Sequence, residues 1–548
     1  MNGVLPAPVR EEWPPRRSSR AGCPIARRWT VRADTPGLDR TAQVLRELLA
    51  PHLAGLAPSP EAETAEAEAA GAKTVGAAEA PGVIRLVLGD VPLRADALGV
   101  APTGESCPDE SYRVEADEFG LFCLARTPVG VFRAAVSALH LLTAAAADGA
   151  DTLPCGSIDD GPRYAWRGLM LDPARSFLSP DELRRVVDLA ALYKLNVLHL
   201  HLTDNEGWRL EIASRPGLTA DAAQPYYSAA EYRALQTYAA ERHVVIVPEI
   251  DLPGHSAAAP RAYPGLGTLP RPSSLPEGAP FTPPLDAHDP GTRAFLVDVL
   301  TEVARLTEGP YLHFGGDEAV GADADAFTEA VTLARDVIRR AGKRPVGWQE
   351  SSRAGIGSGD IAQFWVDVAM MELPETEQEL HARPELVDAG YTLRTCDLLR
   401  RFFAPTDGDL ARIVAGGGRV LLSPQSHLYL DRPYDAAVVP PEQAERARRL
   451  GFAYRPRSVA HTAGFDPAAY GLRPENVAGI EATLFGETLC CFEDLTTLLL
   501  PRLAGVAEAA WTGAAPSWDE YRGRLALHSR LWRERGLTWL PTTEVDWR

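Results

Sequence analysis

The feature that most constrains this chain is a regular alternation that begins near Trp166. Eight short apolar runs, at 168–171, 197–202, 244–248, 311–314, 345–347, 361–364, 420–422 and 480–484, are separated by longer amphipathic stretches. Runs this uniformly apolar suit strands buried on both faces, as in a parallel sheet. Residues 180–193, 229–242, 292–306 and 325–341 carry apolar positions at helical spacing. Eight β-then-α units predict an α/β fold, a (β/α)8 barrel. A doubly wound open sheet is the rival, but no GxGxxG or P-loop follows any of the runs.

The chain ahead of the barrel reads differently. Residues 1–28 are expected to be a flexible tail. Residues 29–160 mix short β-like runs (29–31, 83–88, 111–114, 121–125) with helical patterns at 41–49 and 131–142, which predicts a small α+β domain. The Ala/Glu/Pro-rich stretch 57–81 is low in complexity and reads as a loop or short exposed helix. The turn-rich SIDDGPRY, 157–164, makes a natural linker. The barrel, with a C-terminal helical segment, takes 161–548.

Composition narrows the partners. A net charge of −19 disfavours nucleic acid and anionic membranes, both of which would repel the chain. No apolar window of membrane-spanning length is evident, and the N-terminus lacks the apolar core of a secretory signal. The seven cysteines are scattered and include no CxxC, so reduced thiols and a cytoplasmic location are expected. Cys107 and Cys123 could pair across a hairpin. Cys490 and Cys491 read as packing residues in a helix.

Nearly every apolar run ends in polar or aromatic groups: Asp172 and Arg175, Asp204, then Glu249, Asp251 and His255, Asp317 and Glu318, Trp348 and Glu350, Trp365 and Asp367, Tyr429 and Asp431, and finally Phe485 and Glu487. Active sites of barrels lie at this end of the strands. The result is an acid-rich mouth with flat aromatic faces, which suits a sugar ring. Glycoside hydrolysis needs an acid for the leaving oxygen and a group that stabilises an oxocarbenium-like centre. Adjacent acids on a loop point in different directions, so Asp317 and Glu318 can divide those tasks. Gly315 and Gly316 let the backbone turn sharply just before them.

Seven ordered motifs then carry a resemblance: RGLMLDPARSF, LYKLNVLHLHLTDNEGWRLEI, PEIDLPGH, HFGGDE, GWQE, SPQSHLYLD and EATLFGET. Over about residues 164–515 the chain resembles the family 20 glycoside hydrolases, the β-N-acetylhexosaminidases, and the domain ahead looks like the one that usually precedes their barrel. The resemblance implies a substrate-assisted retaining mechanism, with the substrate's own 2-acetamido oxygen as nucleophile. It implies Glu318 as general acid and base, Asp317 as partner of the acetamido N–H, and Tyr429 on the acetamido oxygen. Asp204 and His255 would position Glu318. Arg175, Glu487 and Asp431 would hold sugar hydroxyls, and Trp348 and Trp365 would wall the pocket. The expected ligand is an N-acetylhexosamine-containing oligosaccharide or glycoconjugate, with no cofactor and no metal.

Three departures stand out. Phe485 takes a position where the family usually has Trp. A further pocket Trp is expected between strands seven and eight, where HTAGFDP, 461–467, offers only Phe465. The usual acid-acid-Gln run after strand two reads Asp204-Asn205-Glu206. Two other readings stay open: a metal-dependent barrel hydrolase built on the HxH of His199 and His201, and a catalytically silent glycan-binding protein. The first is disfavoured because no third histidine is evident at a suitable strand end. The second is disfavoured because both acids are present.

Overall fold

The computed structural model describes residues 3–13, 22–25, 29–55, 82–104, 108–273, 275, 281–367, 373–388 and 390–548. The Ala/Glu/Pro-rich stretch lies outside the described residues, and so does Cys107 with its suggested pairing. The N-terminal domain holds strands β1 (Arg10–Glu12), β2 (Cys23–Pro24), β3 (Trp29–Ala33), β4 (Gly82–Leu88), β5 (Tyr112–Asp117), β6 (Gly120–Ala125), β7 (Thr152–Leu153) and β8 (Gly156–Asp160). Six of them form one sheet in the order β1-β8-β5-β6-β4-β3. Helices Asp39–Gly55 and Pro128–Ala147 pack on that sheet and on each other.

Two expectations change here. The first residues are not loose: Val4 and Leu5 are fully buried, and Arg10–Glu12 pairs antiparallel with Ser157–Asp159. Part of the expected linker is itself a strand, because β8 sits between β1 and β5. Helix Pro128–Ala147 is long and apolar enough to cross a membrane by length and composition. Its most apolar stretch is 89% buried inside the protein, which marks it as the domain's core helix.

The barrel closes as expected. Its strands are β9 (Trp166–Leu171), β10 (Val197–His201), β11 (Val245–Leu252), β12 (Tyr311–Gly315), β13 (Arg344–Trp348), β14 (Ile361–Phe364), β15 (Arg419–Leu422) and β16 (Val477–Leu484). All neighbours are parallel, and β16 returns to β9. Each apolar run became a strand. The largest difference is β11, which runs on through Glu249 and Asp251 to Leu252, so these two acids lie within the strand. Capping explains where the helices begin. Ser179 with Glu182, and Ser228 with Glu231, form reciprocal capping boxes at the starts of Pro180–Leu192 and Ala229–Ala240. Among the described residues the cysteines are free thiols. Cys490 and Cys491 are exposed and precede helix Phe492–Leu499, so they are not the packing residues the sequence suggested.

A buried ion triad ties the two domains. Glu110 accepts from Arg133 Nε at 2.9 Å and from Arg167 Nη2 at 2.7 Å, with Arg133 on the N-terminal core helix and Arg167 in β9. Replacing Glu110 by Ala leaves two guanidinium groups buried without their shared anion. Such a loss costs roughly 3–5 kcal/mol. Chemical denaturation should show that destabilisation, and a variant as stable as the parent would refute the role.

Candidate active site

The strand ends turn sharply at the acids. Gly315 and Gly316 have φ of 71° and 98°. A Cβ on Gly315 would lie 1.6 Å from Asp251 Oδ1, so only glycine fits. The chain then delivers Asp317 and Glu318, the latter at φ 39°, while His255 arrives from the end of β11 at φ 47°. Left-handed backbone at a residue other than glycine costs of order 1–3 kcal/mol, and it clusters at functional sites. Here it occurs at two residues that touch: His255 Nε2 lies 3.2 Å from Glu318 Oε2.

That contact is the end of a relay. His255 Nδ1 lies 3.3 Å from Asp204 Oδ1, and Asp204 also meets His201 Nε2 at 2.8 Å. Burial opposes a charge on His255, but Asp204 and the two acids beside it hold its pKa well above the ordinary value. Asp204 is held well below its own ordinary value, against its burial, by the charges of His255, His201 and Arg175. An imidazolium therefore faces Glu318 at neutral pH. Glu318 is 34% exposed at its side chain and Asp317 only 14%, so Glu318 faces the mouth and Asp317 lies deeper. Arg175 is clamped by Asp172 at 2.9 Å and Asp204 at 2.7 Å, and its Nε reaches Glu487 at 3.8 Å.

Aromatic rings enclose the space in front of these groups. Trp365 stacks on Tyr429 at 6.0 Å and 9° between planes, and it meets Trp348 edge-on at 6.4 Å. Phe485 closes the floor, 6.4 Å from Trp348 and 5.4 Å from Tyr429, with the Arg175 guanidinium 5.4 Å from its centroid. The indoles are anchored through Trp348 Nε1 to Glu249 Oε1 at 2.8 Å and Trp365 Nε1 to Glu350 Oε2 at 3.1 Å.

Three acceptor atoms stand out in this box. Asp317 Oδ1 and both carboxylate oxygens of Asp431 are buried and accept no hydrogen bond from the described residues. Leaving a buried acceptor unsatisfied costs about 1–3 kcal/mol. Burial pushes Asp317 up to about 6, with Glu318 adding to the rise and His255 opposing it. Burial and then Glu487 push Asp431 well above its ordinary value, and burial raises Glu487 itself against the pull of Arg175. The pocket thus offers acceptors to a ligand rich in O–H and N–H donors.

One expectation about the barrel interior fails. A third histidine does approach the HxH pair: His313 lies 4.6 Å from His199 ring to ring, and its Nδ1 is 3.0 Å from Glu249 Oε1. His199, Glu249 and His313 bring ligand-type atoms within 4.8 Å of one another. The hydrogen bonding reads as a buried charge network. Glu249 meets His201 Nδ1 at 2.7 Å and the Trp348 indole, while Glu481 meets His199 Nδ1 at 2.9 Å. Burial opposes a charge on His199, but Glu249 and Glu481 push its pKa up to about 9. The sequence hid this because His313 stands inside strand β12, not beyond its end.

Comparison with known proteins decides the family. The model of the glycosyl hydrolase family 20 catalytic domain matches residues 164–514, and that of the family's domain 2 matches residues 3–161. The chain belongs to glycosyl hydrolase family 20. A β-N-acetylhexosaminidase of Cellulomonas fimi is 36% identical over 484 residues, covering 85% of each chain. The family 20 β-N-acetylhexosaminidase of Streptomyces coelicolor superposes with a TM-score of 0.74 at 30% identity, over 100% of this chain and 99% of that one. A mutant Streptomyces plicatus β-hexosaminidase in complex with its product, GlcNAc, matches at 0.73 and 28%, over 100% and 98%. As a family 20 member the protein is a glycoside hydrolase.

Within this family 20 barrel, the stretch 461–467 supplies no aromatic to the pocket wall. Phe465 is 1% exposed and packs against His427 and Tyr470, outside the pocket. The residue that completes the aromatic wall between strands β15 and β16 is Tyr454, 6.1 Å from Tyr429 and under the guanidinium of Arg432 at 5.1 Å. The signal was a Phe452–Arg457 loop, FAYRPR, with two aromatics among turn residues and cations. Asp204, His255, Glu318, Asp317, Arg175, Trp348, Trp365, Tyr429, Asp431, Phe485 and Glu487 all converge on one mouth.

Proposed function

We propose that this enzyme is an exo-acting β-N-acetylhexosaminidase that removes terminal non-reducing N-acetylglucosamine or N-acetylgalactosamine with retention. The observation that carries this reading is Asp317 Oδ1, a buried carboxylate oxygen with no donor among the described residues, beside Glu318 in a box of aromatic rings. An acetamide presents an N–H to such an atom and a flat apolar face to such rings.

In the first half-reaction Glu318 gives its proton to the glycosidic oxygen as the C1–O bond breaks. The acetamido oxygen forms the new bond to C1, and the positive charge that develops on the acetamido nitrogen falls beside Asp317. Tyr429 hydrogen-bonds the acetamido oxygen and aims it. In the second half a water attacks C1, Glu318 takes its proton, and the bond from the acetamido oxygen to C1 breaks to restore the acetamide. Two inversions leave the configuration retained. His255, kept charged by Asp204, positions Glu318. Arg175, Glu487 and Asp431 hold hydroxyl groups.

The test compares p-nitrophenyl 2-acetamido-2-deoxy-β-glucoside with p-nitrophenyl β-glucoside. Hydrolysis of the first and none of the second is expected, because an intramolecular nucleophile supplies an effective molarity of order 10⁵ M or more. Similar rates on both would end the substrate-assisted reading. Activity should also survive EDTA, and its loss would favour metal chemistry at the histidine network.

A further inference from the structure

The barrel interior holds ionisable groups that the hydrolysis does not use directly. Barrel cores are filled mainly by branched apolar side chains. Here β10 contributes His199 and His201, β11 Glu249, β12 His313 and β16 Glu481, all of them buried. Glu249 stands at the centre, as register partner of His201 on one neighbouring strand and of His313 on the other. Well-packed apolar residues in place of buried ion pairs are often as stabilising or more so, so stability alone does not account for this core.

One line of contacts leads from it to the general acid. Glu249 Oε2 meets His201 Nδ1 at 2.7 Å, and His201 Nε2 meets Asp204 Oδ2 at 2.8 Å. Asp204 Oδ1 meets His255 Nδ1 at 3.3 Å, and His255 Nε2 meets Glu318 Oε2 at 3.2 Å. The state of His201 follows from the first two distances. A neutral imidazole has a single N–H, and its other nitrogen would turn a lone pair on a carboxylate oxygen. Only an imidazolium donates to both neighbours. Burial opposes that charge, but Glu249 and Asp204, with Asp172 adding to them, hold His201 well above its ordinary pKa. Charges therefore alternate from Glu249 through His201 and Asp204 to His255. The other oxygen of Glu249 leads to the pocket wall, since Oε1 accepts from Trp348 Nε1 at 2.8 Å.

We propose that Glu249 and His201 are positioning residues for the hydrolysis. Glu249 acts through His201 to aim Asp204 and His255 at the general acid, and through Trp348 to set the aromatic wall. This inference rests on Glu318 being the acid at the leaving oxygen. Arg175 shares Asp204 Oδ2 with His201, at 2.7 Å, so losing His201 loosens Asp204 without freeing it. Glutamine in place of Glu249 has one acceptor oxygen where the carboxylate has two, so it serves the indole or His201 but not both.

The experiment measures kcat/KM of His201→Gln and Glu249→Gln on a β-linked N-acetylglucosamine disaccharide and on the p-nitrophenyl glycoside. The disaccharide needs its leaving oxygen protonated, and nitrophenolate does not. Each variant should lose roughly tenfold more on the disaccharide, within the range expected for a slightly misplaced catalytic group. Glu249→Gln should add a loss common to both substrates, through Trp348. The ratio of two constants from one preparation is independent of the fraction folded, so partial misfolding does not imitate the effect. Equal losses on both substrates in both variants overturn the proposal. If neither variant folds, NMR of the imidazole nitrogens in the parent decides. His201 should carry protons on both nitrogens at pH 8, well above the ordinary histidine pKa of about 6.5, and a neutral ring overturns the proposal. Glu318→Gln measured alongside separates the two readings. If its losses are unequal while theirs are equal, this inference fails alone. If its losses are equal too, the catalytic reading fails with it.

Discussion

Replacing Glu318 by Gln should lower kcat/KM on a disaccharide by a factor on the order of 10²–10⁴, the usual contribution of a positioned general acid. The amide keeps the shape of the carboxyl but carries no transferable proton. The loss should be much smaller on a p-nitrophenyl glycoside, because nitrophenolate leaves without protonation. The comparison uses kcat/KM because that constant reports only the steps up to departure of the leaving group. Equal losses on both substrates would show that Glu318 does not protonate the leaving oxygen. The distances make it the candidate: it is the more exposed of the two acids and stands against a charged His255.

Asp317→Asn should lower the rate by about 10²–10³, the scale of losing one preorganised charge-stabilising group, while making the protein more stable. The two effects share a cause. Burial raises the Asp317 pKa from its ordinary 3.8 to about 6. A carboxyl whose folded pKa is raised binds its proton more tightly when folded, so its contribution favours the fold at low pH. That contribution disappears as pH rises through about 6, and at pH 7 the ionised carboxylate is a net cost. At about 1.4 kcal/mol per unit, removing the charge returns up to roughly 3 kcal/mol at pH 7. Thermal unfolding at pH 7 should show a higher Tm for the variant, and the gap should close as pH falls towards 4. For catalysis the sign is opposite, since only the ionised form stabilises a cation. The parent's kcat/KM should fall below about pH 6, and this acid limb should be missing from the variant. A variant no more stable than the parent, or one with the same acid limb, would contradict the assignment.

The barrel was legible in the sequence because parallel strands buried on both faces leave uninterrupted apolar runs, and Ile361–Phe364 matches its run residue for residue. The acids were legible because a barrel places its chemistry at one end of those runs. The rest lies in contacts between distant segments. Glu249 and Asp251 read as strand-end residues, yet β11 carries them inside the barrel, where Glu249 gathers His201, His313 and Trp348. Tyr454 escaped because a loop between strands has no period to mark which ring turns inward, and Phe465 was nearer to the expected place. The first residues read as a tail because the contacts that bury Val4 and Leu5 and pair Arg10–Glu12 into a sheet come from far along the chain. Their partners are more than a hundred residues away, as with Leu5 N on His140 Nδ1 and β1 on β8.

The left-handed backbone at His255 and Glu318 has a bearing on how this enzyme would respond to selection. Gly or Asn tolerates that conformation better than His or Glu does. Substitutions at these two positions that relax the chain would therefore score as gains in a screen for heat resistance alone. Asp317→Asn would join them. A laboratory lineage rewarded only for surviving heat would drift first towards a sturdier barrel that no longer cuts sugars, so any such campaign needs turnover as a second filter from its first round.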